Sequence, residues 1–229
     1  SLNTVIHVSP DNIAQSNITL SAMLPRESTT KEIDAALLSV IGFPAFAAPT
    51  SEICEKVRCD IIKKLEGRYG LKRFLRDGHQ TVLEDEGRLH YEEQELKQFE
   101  NIESEWPLFY AYLYLDAIFR DDVKQIKHYR KRIDDVLVEQ NGQKLLPELY
   151  FVPSESIELE RKNPQSLKRV PNDNVPLVWA QSLFLLGAMM EDGLLLPGDL
   201  DPMGRHHVKQ AKRPVVQLIL LAEDRALQQ

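Results

Sequence analysis

Three stretches of the chain are apolar on every side of a helix, and they restrict the fold more than any other feature. These stretches cover residues 33–43, 106–119 and 175–190. A helix that is hydrophobic all round has to be covered by other elements on every side. We therefore expect three buried helices that share one core.

Amphipathic stretches alternate with the buried ones, over residues 9–24, 52–65 and 123–138. Each carries apolar residues at helical spacing on one side and polar or charged residues on the other. An alternation of this kind is typical of two concentric helix layers, the outer shielding the inner. The pattern predicts an all-α fold of the α/α toroid type. Two helix starts are indicated by polar capping residues, Ser9 before Pro10 and Thr29 with Glu32.

The connections between these stretches differ in length. The links at 42–51 and 120–122 are short, whereas those at 66–105 and 139–174 are long. Loops longer than about 12–15 residues inside a compact domain are usually functional or disordered. In a two-layered helical ring the long loops lie together, near the amino ends of the inner helices. We expect any functional site on that face.

Three outer–inner pairs do not close a ring, and their inner helices would leave apolar surface uncovered. We therefore expect a piece of a longer protein, in preference to a chain completed by a partner. The helices are expected to stop at Pro197, and residues 215–223 are expected to form a β-strand. The resulting division is a helical domain over 1–205 and a linker with a strand over 206–229.

Composition and charge exclude several classes of protein. Among 229 residues, 28 Lys and Arg face 35 Asp and Glu, and the net charge of −7 repels nucleic-acid phosphates. Cys54 and Cys59 are too few for a disulfide framework or a four-ligand zinc site, so we expect free thiols. The apolar run at 175–190 is shorter than the ~20 residues that span a bilayer, and no signal peptide opens the chain. We expect a cytoplasmic protein with no metal, cofactor or nucleic-acid partner and with no membrane segment in this chain.

Several longer motifs resemble the large regulatory subunits, α and β, of phosphorylase kinase. The resemblance runs in order over nearly the whole chain. Its motifs are MLPRESTTKEIDAALLSVIGFPAFA (23–47), GRYGLKRFLRDGH (67–79), FENIESEWPLF (99–109), LLPELYFVP (145–153), NPQSLKRVP (163–171) and PGDLDPMGR (197–205). MLPRES and LLPELY lean towards the α type. Because those subunits are far longer, the resemblance implies an internal fragment of their amino-terminal domain.

The resemblance implies a regulatory role in glycogen metabolism, as a scaffold that controls the kinase of glycogen phosphorylase. The implied partners are the catalytic gamma subunit, the paired alpha or beta subunit, calmodulin and an oligosaccharide. The chain itself carries no kinase signature, since it has no Gly-rich phosphate loop and no HRD or DFG motif.

The amino-terminal domain of those subunits is similar to the glucoamylases of glycoside hydrolase family fifteen, which form a six-pair α/α toroid. The chain would supply its second half. By this resemblance Glu148, in a Leu-Pro-Glu segment, matches the general base. Arg73 and Asp77 match sugar-binding residues, and Trp106 and Trp179 match the tryptophans of two further segments. Aromatic and arginine side chains suit sugars, whose faces are apolar and whose rims carry hydroxyl groups.

The sequence also departs from the glucoamylase pattern. Leu149 replaces a glutamine, and Ser104 with Glu105 replaces a Gly-Asn pair. The general acid of glucoamylases lies in the first half of the toroid, outside this chain. The parent protein is therefore interpreted as a scaffold that keeps a saccharide pocket or only its relic. The alternative is an active glucoamylase-like hydrolase that uses Glu148 as general base.

Each candidate residue also has a purely structural interpretation. Trp106 and Trp179 would pack in the core, as aromatic residues on apolar helices usually do. Arg73, Arg76 and Asp77 would form a buried ion-pair network that anchors a loop. Glu148 would cap a helix or pair with an arginine.

Overall fold

The computed structural model describes residues 10–26, 31–48 and 50–201, and eight α-helices lie within them. The helices are α1 Pro10–Met23, α2 Leu38–Ile41, α3 Ser51–Leu65, α4 Leu108–Phe119, α5 Val123–Asp134, α6 Ile157–Lys162, α7 Val178–Glu191 and α8 Pro197–Leu200. Short 3-10 turns occupy Ala35–Leu37, Glu95–Phe99 and Ser154–Ser156. The strands are β1 Val138–Gln140, β2 Gln143–Leu145, β3 Tyr150–Phe151 and β4 Val170–Pro171. The chain is helix-rich, and the all-α prediction misses two small antiparallel sheets, β1–β2 and β3–β4.

The buried helix expected over residues 33–43 is shorter than predicted. It begins with the 3-10 turn Ala35–Leu37 and continues as α2. Its cap is Asp34, whose Oδ1 accepts a hydrogen bond from the backbone N–H of Ala36 at 2.8 Å. Asp34 is extended because it forms a β-bridge with Phe74, and this bridge prevents an earlier helical start. The predicted caps Ser9 and Thr29 lie outside the described residues.

The amphipathic helices predicted over 52–65 and 123–138 are confirmed as α3 and α5. Thr50 Oγ1 caps α3 by accepting from the N–H of Ile53 at 3.3 Å, and Asp122 Oδ1 caps α5 by accepting from Gln125 at 3.1 Å. Helix α5 ends at Asp134 rather than at residue 138. The chain then turns into the β1–β2 hairpin around Asn141 and Gly142, both with positive φ, as hairpin turns of this kind require.

Helix α4 is the centre of the core. All of its residues are buried, and it packs against α2, α5 and α7. The prediction of one shared core is therefore confirmed for these helices. Helix α7 has apolar residues at both buried and exposed positions. The described residues therefore cover only one side of this helix. Its exposed apolar residues are Val178, Trp179, Leu185 and Met189.

The two long loops meet next to the amino end of α4 through a ladder of backbone pairs. Leu71 and Trp106 exchange both hydrogen bonds, at 3.2 and 2.8 Å, and Glu105 and Tyr150 do the same at 2.9 and 2.8 Å. Strand β3 then pairs with β4. The ladder confirms that the long loops converge near the amino ends of the inner helices.

The carboxyl-terminal part of the described chain corrects one boundary. The helices do not stop at Pro197, since this proline is the first residue of the short helix α8. A proline at this position suits a helix start because its missing N–H would be unpaired there. The predicted strand at 215–223 and the predicted boundary at 205 lie outside the described residues. Among the described helices, none has the length and apolar character that crossing a bilayer requires.

Candidate functional site

The backbone ladder brings the predicted residues to one region of the fold. Arg73 lies close to Leu71, and its carbonyl accepts from the N–H of Ala35 at 2.8 Å. Trp106 pairs with Leu71 in this ladder. Glu148 lies two residues before Tyr150, which pairs with Glu105. The polar segments that follow Leu71 and β4 are thereby placed beside the Glu148 segment.

The carboxylate of Glu148 is held by two neutral amides. Its Oε2 accepts from Asn172 Nδ2 at 2.7 Å and from Gln80 Nε2 at 3.2 Å. Its Oε1 accepts no hydrogen bond from any described residue. The structural interpretation of Glu148 required a helix end or an arginine as its partner. The structure instead shows two side-chain amides. Glu148 is half-buried, and its second carboxylate oxygen has no hydrogen-bond donor among the described residues.

Sequence analysis missed Gln80, which connects this carboxylate to the loop that carries Asp77. Gln80 has a φ of 54°, a left-handed conformation that is uncommon outside glycine. Its Oε1 accepts from Asn172 Nδ2 at 3.0 Å, so the two amides also bind each other. Neither residue carries a sequence signal, because single amides show no periodicity and belong to none of the glucoamylase segments.

Arg73 and Asp77 form a two-pronged ion pair. Arg73 Nε donates to Asp77 Oδ2 at 2.6 Å, and its Nη2 donates to Oδ1 at 2.8 Å. Asp77 is buried, and Oδ1 also accepts from the N–H of His79 at 3.1 Å. The geometry matches the loop-anchoring interpretation of this pair. Arg76 takes no part in it and instead pairs with Glu100 at 3.4 Å.

Trp106 is almost fully buried and lies within the same cluster. The guanidinium carbon of Arg73 is 5.1 Å from the centroid of its ring, and the ring of His79 stacks on it at 6.1 Å. Its indole Nε1 is buried and makes no hydrogen bond with the described residues. Trp106 belongs to the hydrophobic core, which agrees with its core interpretation, and its ring also contacts Arg73 and His79 of the loop.

Trp179 is placed differently, because 56% of it is exposed at the start of α7. Its Nε1 donates to the hydroxyl of Tyr112 at 3.1 Å, and the two rings meet edge to face at 6.1 Å. The core interpretation is therefore wrong for Trp179. Its hydrogen bond goes to α4, apart from the Gln80–Asn172 pair.

Buried ion pairs support the loop segment that leads into Trp106. Glu103 Oε2 accepts from Lys72 Nζ at 2.7 Å, and Glu105 Oε1 lies 3.2 Å from Arg169 Nη2. Burial raises the pKa of Glu105, which is fully shielded from solvent, and the charge of Arg169 opposes this rise. These acidic residues hold the loops together. Among the described residues no group of three His, Cys, Asp or Glu side chains could hold a metal ion.

Comparison with known proteins finds similar regulatory subunits and one matching family model. The chain is 50% identical over 222 residues to the phosphorylase b kinase regulatory subunit alpha, skeletal muscle isoform, of Mus musculus, which covers 96% of the chain. It is 48% identical over 98% of its length to the liver isoform of Takifugu rubripes. It is 46% identical over 97% of its length to a probable regulatory subunit alpha of Caenorhabditis elegans. The chain spans only 18% of the length of each of these relatives.

These relatives are all named alpha subunits, in agreement with the lean of the MLPRES and LLPELY motifs. The model of the family described as glycosyl hydrolases family 15 matches residues 25–216. This range includes all five predicted site residues and every described helix except α1. A helix-rich chain with this match fits a glucoamylase-like fold. The chain belongs to glycosyl hydrolases family 15.

Proposed function

We propose that the chain is part of a regulatory, non-kinase subunit of a phosphorylase kinase, where it binds an oligosaccharide without hydrolysing it. The names of the relatives support the regulatory role. The observation that carries the saccharide site is the carboxylate of Glu148, which has one oxygen fixed by two amides and the other open to a donor. Sugar hydroxyl groups are donors of the kind that this oxygen accepts.

The neighbouring side chains support a sugar ligand. Arg73 uses only Nε and Nη2 on Asp77, so its remaining guanidinium group can donate to a sugar hydroxyl. About a third of the Arg73 side chain is exposed, which makes such a contact accessible. An acceptor and a donor in adjacent loops could each bind a hydroxyl group of an oligosaccharide.

The state of the carboxylates in the adjacent loop supports binding without hydrolysis by this chain. Inversion at a glycosidic bond needs a second carboxyl group about 6.5–9.5 Å away that protonates the leaving oxygen. Both oxygens of Asp77 are engaged by Arg73. Glu84 accepts from the N–H of Gln80 at 2.6 Å and contacts His79 at 3.3 Å. The alternative of a hydrolase with Glu148 as base would need an acid from elsewhere in the parent protein.

The exposed side of α7 supports the further proposal that the chain is half of an α/α toroid. Val178, Leu185 and Met189 lie on it at helical spacing, and they are all exposed. Further helices of the parent protein would cover this stripe and close the ring. The kinase catalytic subunit and calmodulin, as implied by the resemblance, would be partners of the parent protein.

The test uses the full-length protein with a maltooligosaccharide and measures both bound ligand and new reducing ends. The proposal predicts saturable binding, which Glu148→Gln weakens, and no release of reducing sugar. The matched control is Glu139→Gln, because Glu139 is an exposed glutamate of the β1–β2 hairpin. Release of reducing sugar that disappears in Glu148→Gln would contradict the proposal and establish the hydrolase.

A further inference from the structure

We infer that Gln80 is a positioning residue for Glu148, and that its side-chain amide, together with Asn172, determines which carboxylate oxygen is offered to a ligand. The inference rests on the proposed saccharide site, because it assigns the residue that orients the acceptor of that site. It concerns a residue that does not itself need to touch the sugar.

The first argument is that every polar group of Gln80 is occupied. Its backbone N–H donates to Glu84 Oε2 at 2.6 Å, and its carbonyl accepts from Ser104 Oγ at 3.0 Å. Its side-chain Oε1 accepts from Asn172 at 3.0 Å, and its Nε2 donates to Glu148 at 3.2 Å. The side chain therefore has a fixed orientation, in which the donor end of the amide faces the carboxylate.

The second argument is that the backbone around Gln80 is built to hold this orientation. Thr81 closes the turn, since both its N–H and its hydroxyl donate to the carbonyl of Gly78, at 3.1 and 2.8 Å. A Cβ at Gly78 would lie 2.6 Å from the ring of Phe99, so the loop sits directly on a buried aromatic ring. The left-handed φ of Gln80 is kept against its energetic cost by these surroundings.

The third argument concerns the chemistry of the contact. A carboxylate can rotate about its last side-chain bond and exchange its two oxygens, unless one of them is held. Asn172 donates to the same oxygen, Oε2, at 2.7 Å, and it also binds the Oε1 of Gln80. The three side chains thus form a closed triangle. Loss of the Gln80 amide leaves Oε2 with Asn172 as its one donor among the described residues, and it removes the Gln80 oxygen that fixes the Asn172 amide, so the carboxylate is held less firmly. Because both donors are neutral, Glu148 is oriented without an arginine or lysine that would compete for its charge.

The experiment compares two substitutions of Gln80 in the full-length protein, with maltotetraose as the probe and calorimetry as the measurement. Gln80→Met keeps the length of the side chain and removes the amide. Gln80→Glu keeps the acceptor for Asn172, replaces the donor to Glu148 by a second carboxylate oxygen, and adds a negative charge. We expect maltotetraose binding to weaken about tenfold in both, the loss expected for one hydrogen bond to a charged group.

The pH profile separates positioning from a structural role. In Gln80→Glu two carboxylates face each other, and like charges at this distance favour uptake of one proton. The protonated pair can again share a hydrogen bond, so binding by Gln80→Glu should recover as the pH is lowered, whereas Gln80→Met should not recover. Wild-type affinity in Gln80→Glu at neutral pH, or losses with the same pH profile in both variants, would overturn the inference.

The matched control is Gln165→Met. Gln165 also has a left-handed φ, of 63°, and its Nε2 donates to a carbonyl oxygen, that of Glu66 at 3.3 Å. This substitution removes an amide that donates to the carbonyl of Glu66 and to none of the three side chains of the triangle. Its affinity for maltotetraose should equal that of the wild type, and an equal loss in this control would overturn the assignment to Gln80.

A measurement without sugar keeps the inference separate from the proposed function. Hydrogen exchange around Gln80 and Glu148 is compared in Gln80→Met, Glu148→Gln and the double variant. Substitutions of residues in one hydrogen-bonded network change the free energy non-additively. The free energy of local opening around Gln80 and Glu148 should therefore be little lower in the double variant than in the single variants. Additive effects would overturn the triangle. Absence of maltotetraose binding by the wild type, with the coupling present, would instead reject the saccharide site alone.

Discussion

The guanidinium of Arg73 binds both carboxylate oxygens of Asp77, and this pair fixes the loop that leads to Gln80. Asp77 is buried, whereas Arg73 is partly exposed and contacts the ring of Trp106. The buried Asp77 carboxylate therefore anchors the loop, and the partly exposed Arg73 guanidinium remains accessible as a donor. A single arginine can anchor the loop and still contribute to a ligand site.

Asp77→Asn tests how much the Arg73–Asp77 ion pair stabilises the loop. The amide cannot accept from Arg73 on both sides, and the His79 N–H loses a charged acceptor. We expect the loop around residues 73–81 to open more easily by about 1.5–3 kcal/mol, the usual contribution of a hydrogen bond to a charged group. Hydrogen exchange of this segment in the full-length protein measures the change. Asp135→Asn, at an exposed position after α5, is the control, and equal exchange in both variants would argue against the anchor.

Asp116→Asn tests stability at the opposite end of α4. Asp116 accepts from Arg58 Nε at 2.6 Å and Nη2 at 3.0 Å, and from Arg120 Nε at 2.9 Å. Removal of the charge leaves Arg58 buried without its main counter-ion, which typically costs about 3–5 kcal/mol. We expect faster exchange in α3 and α4. Saccharide affinity at a Glu148 site should remain unchanged in the folded fraction, and a parallel loss of affinity would mean that the two ends are coupled.

Gly70→Ala tests the close approach that places Trp106. A Cβ at Gly70 would lie 2.3 Å from the carbonyl carbon of Trp106, a backbone atom that has no room to move. We expect the Leu71–Trp106 pairing to be disrupted and the free energy of unfolding to fall by about 1–3 kcal/mol. Gly87→Ala is the matched control, because its Cβ would meet only Asp85 Oδ1, at 3.3 Å. Tryptophan fluorescence and hydrogen exchange would report the difference, and similar behaviour of both variants would refute the packing argument.

Glu105→Gln tests the pH dependence of the buried ion pairs. Burial raises the pKa of Glu105 above its usual value of 4.5. Between that value and the raised pKa, the folded state holds more protons than the unfolded state. The stability contributed by this group is therefore present below about pH 4.5 and is lost as the pH rises through the raised pKa.

Glutamine does not titrate, so the stability of Glu105→Gln relative to the wild type should increase as the pH rises through this window. The slope of the difference is at most about 1.4 kcal/mol per pH unit. Local opening free energies from hydrogen exchange at several pH values measure it. Parallel profiles for the two proteins would contradict the pKa shift of Glu105.

The helices could be predicted from the sequence wherever local periodicity determined them. Helices α3, α4 and α5 appear within a few residues of their predicted bounds, because a stripe or a full cylinder of apolar residues fixes which side is buried. The segment before α2 was predicted less well. Asp34 pairs with Phe74, and a non-local bridge of this kind leaves no trace in local periodicity.

The site was only partly accessible to sequence analysis, for a related reason. Arg73, Asp77 and Glu148 are candidates that a resemblance between motifs suggests. Gln80 and Asn172 were missed because hydrogen bonds between distant loops require no particular neighbours in sequence. The exposure of Trp179 was also missed, because an apolar helix pattern predicts burial but does not identify what covers each side.

Calorimetric titration of the full-length protein with maltooligosaccharides tests the central claim most directly. The account predicts binding with a dissociation constant between micromolar and millimolar, or roughly 4–8 kcal/mol. Arg73→Ala and Glu148→Gln should both weaken this binding while hydrogen exchange in α4 and α5 remains that of the wild type. No detectable heat at millimolar ligand, in a protein with wild-type exchange, would contradict the saccharide site and leave only the scaffold.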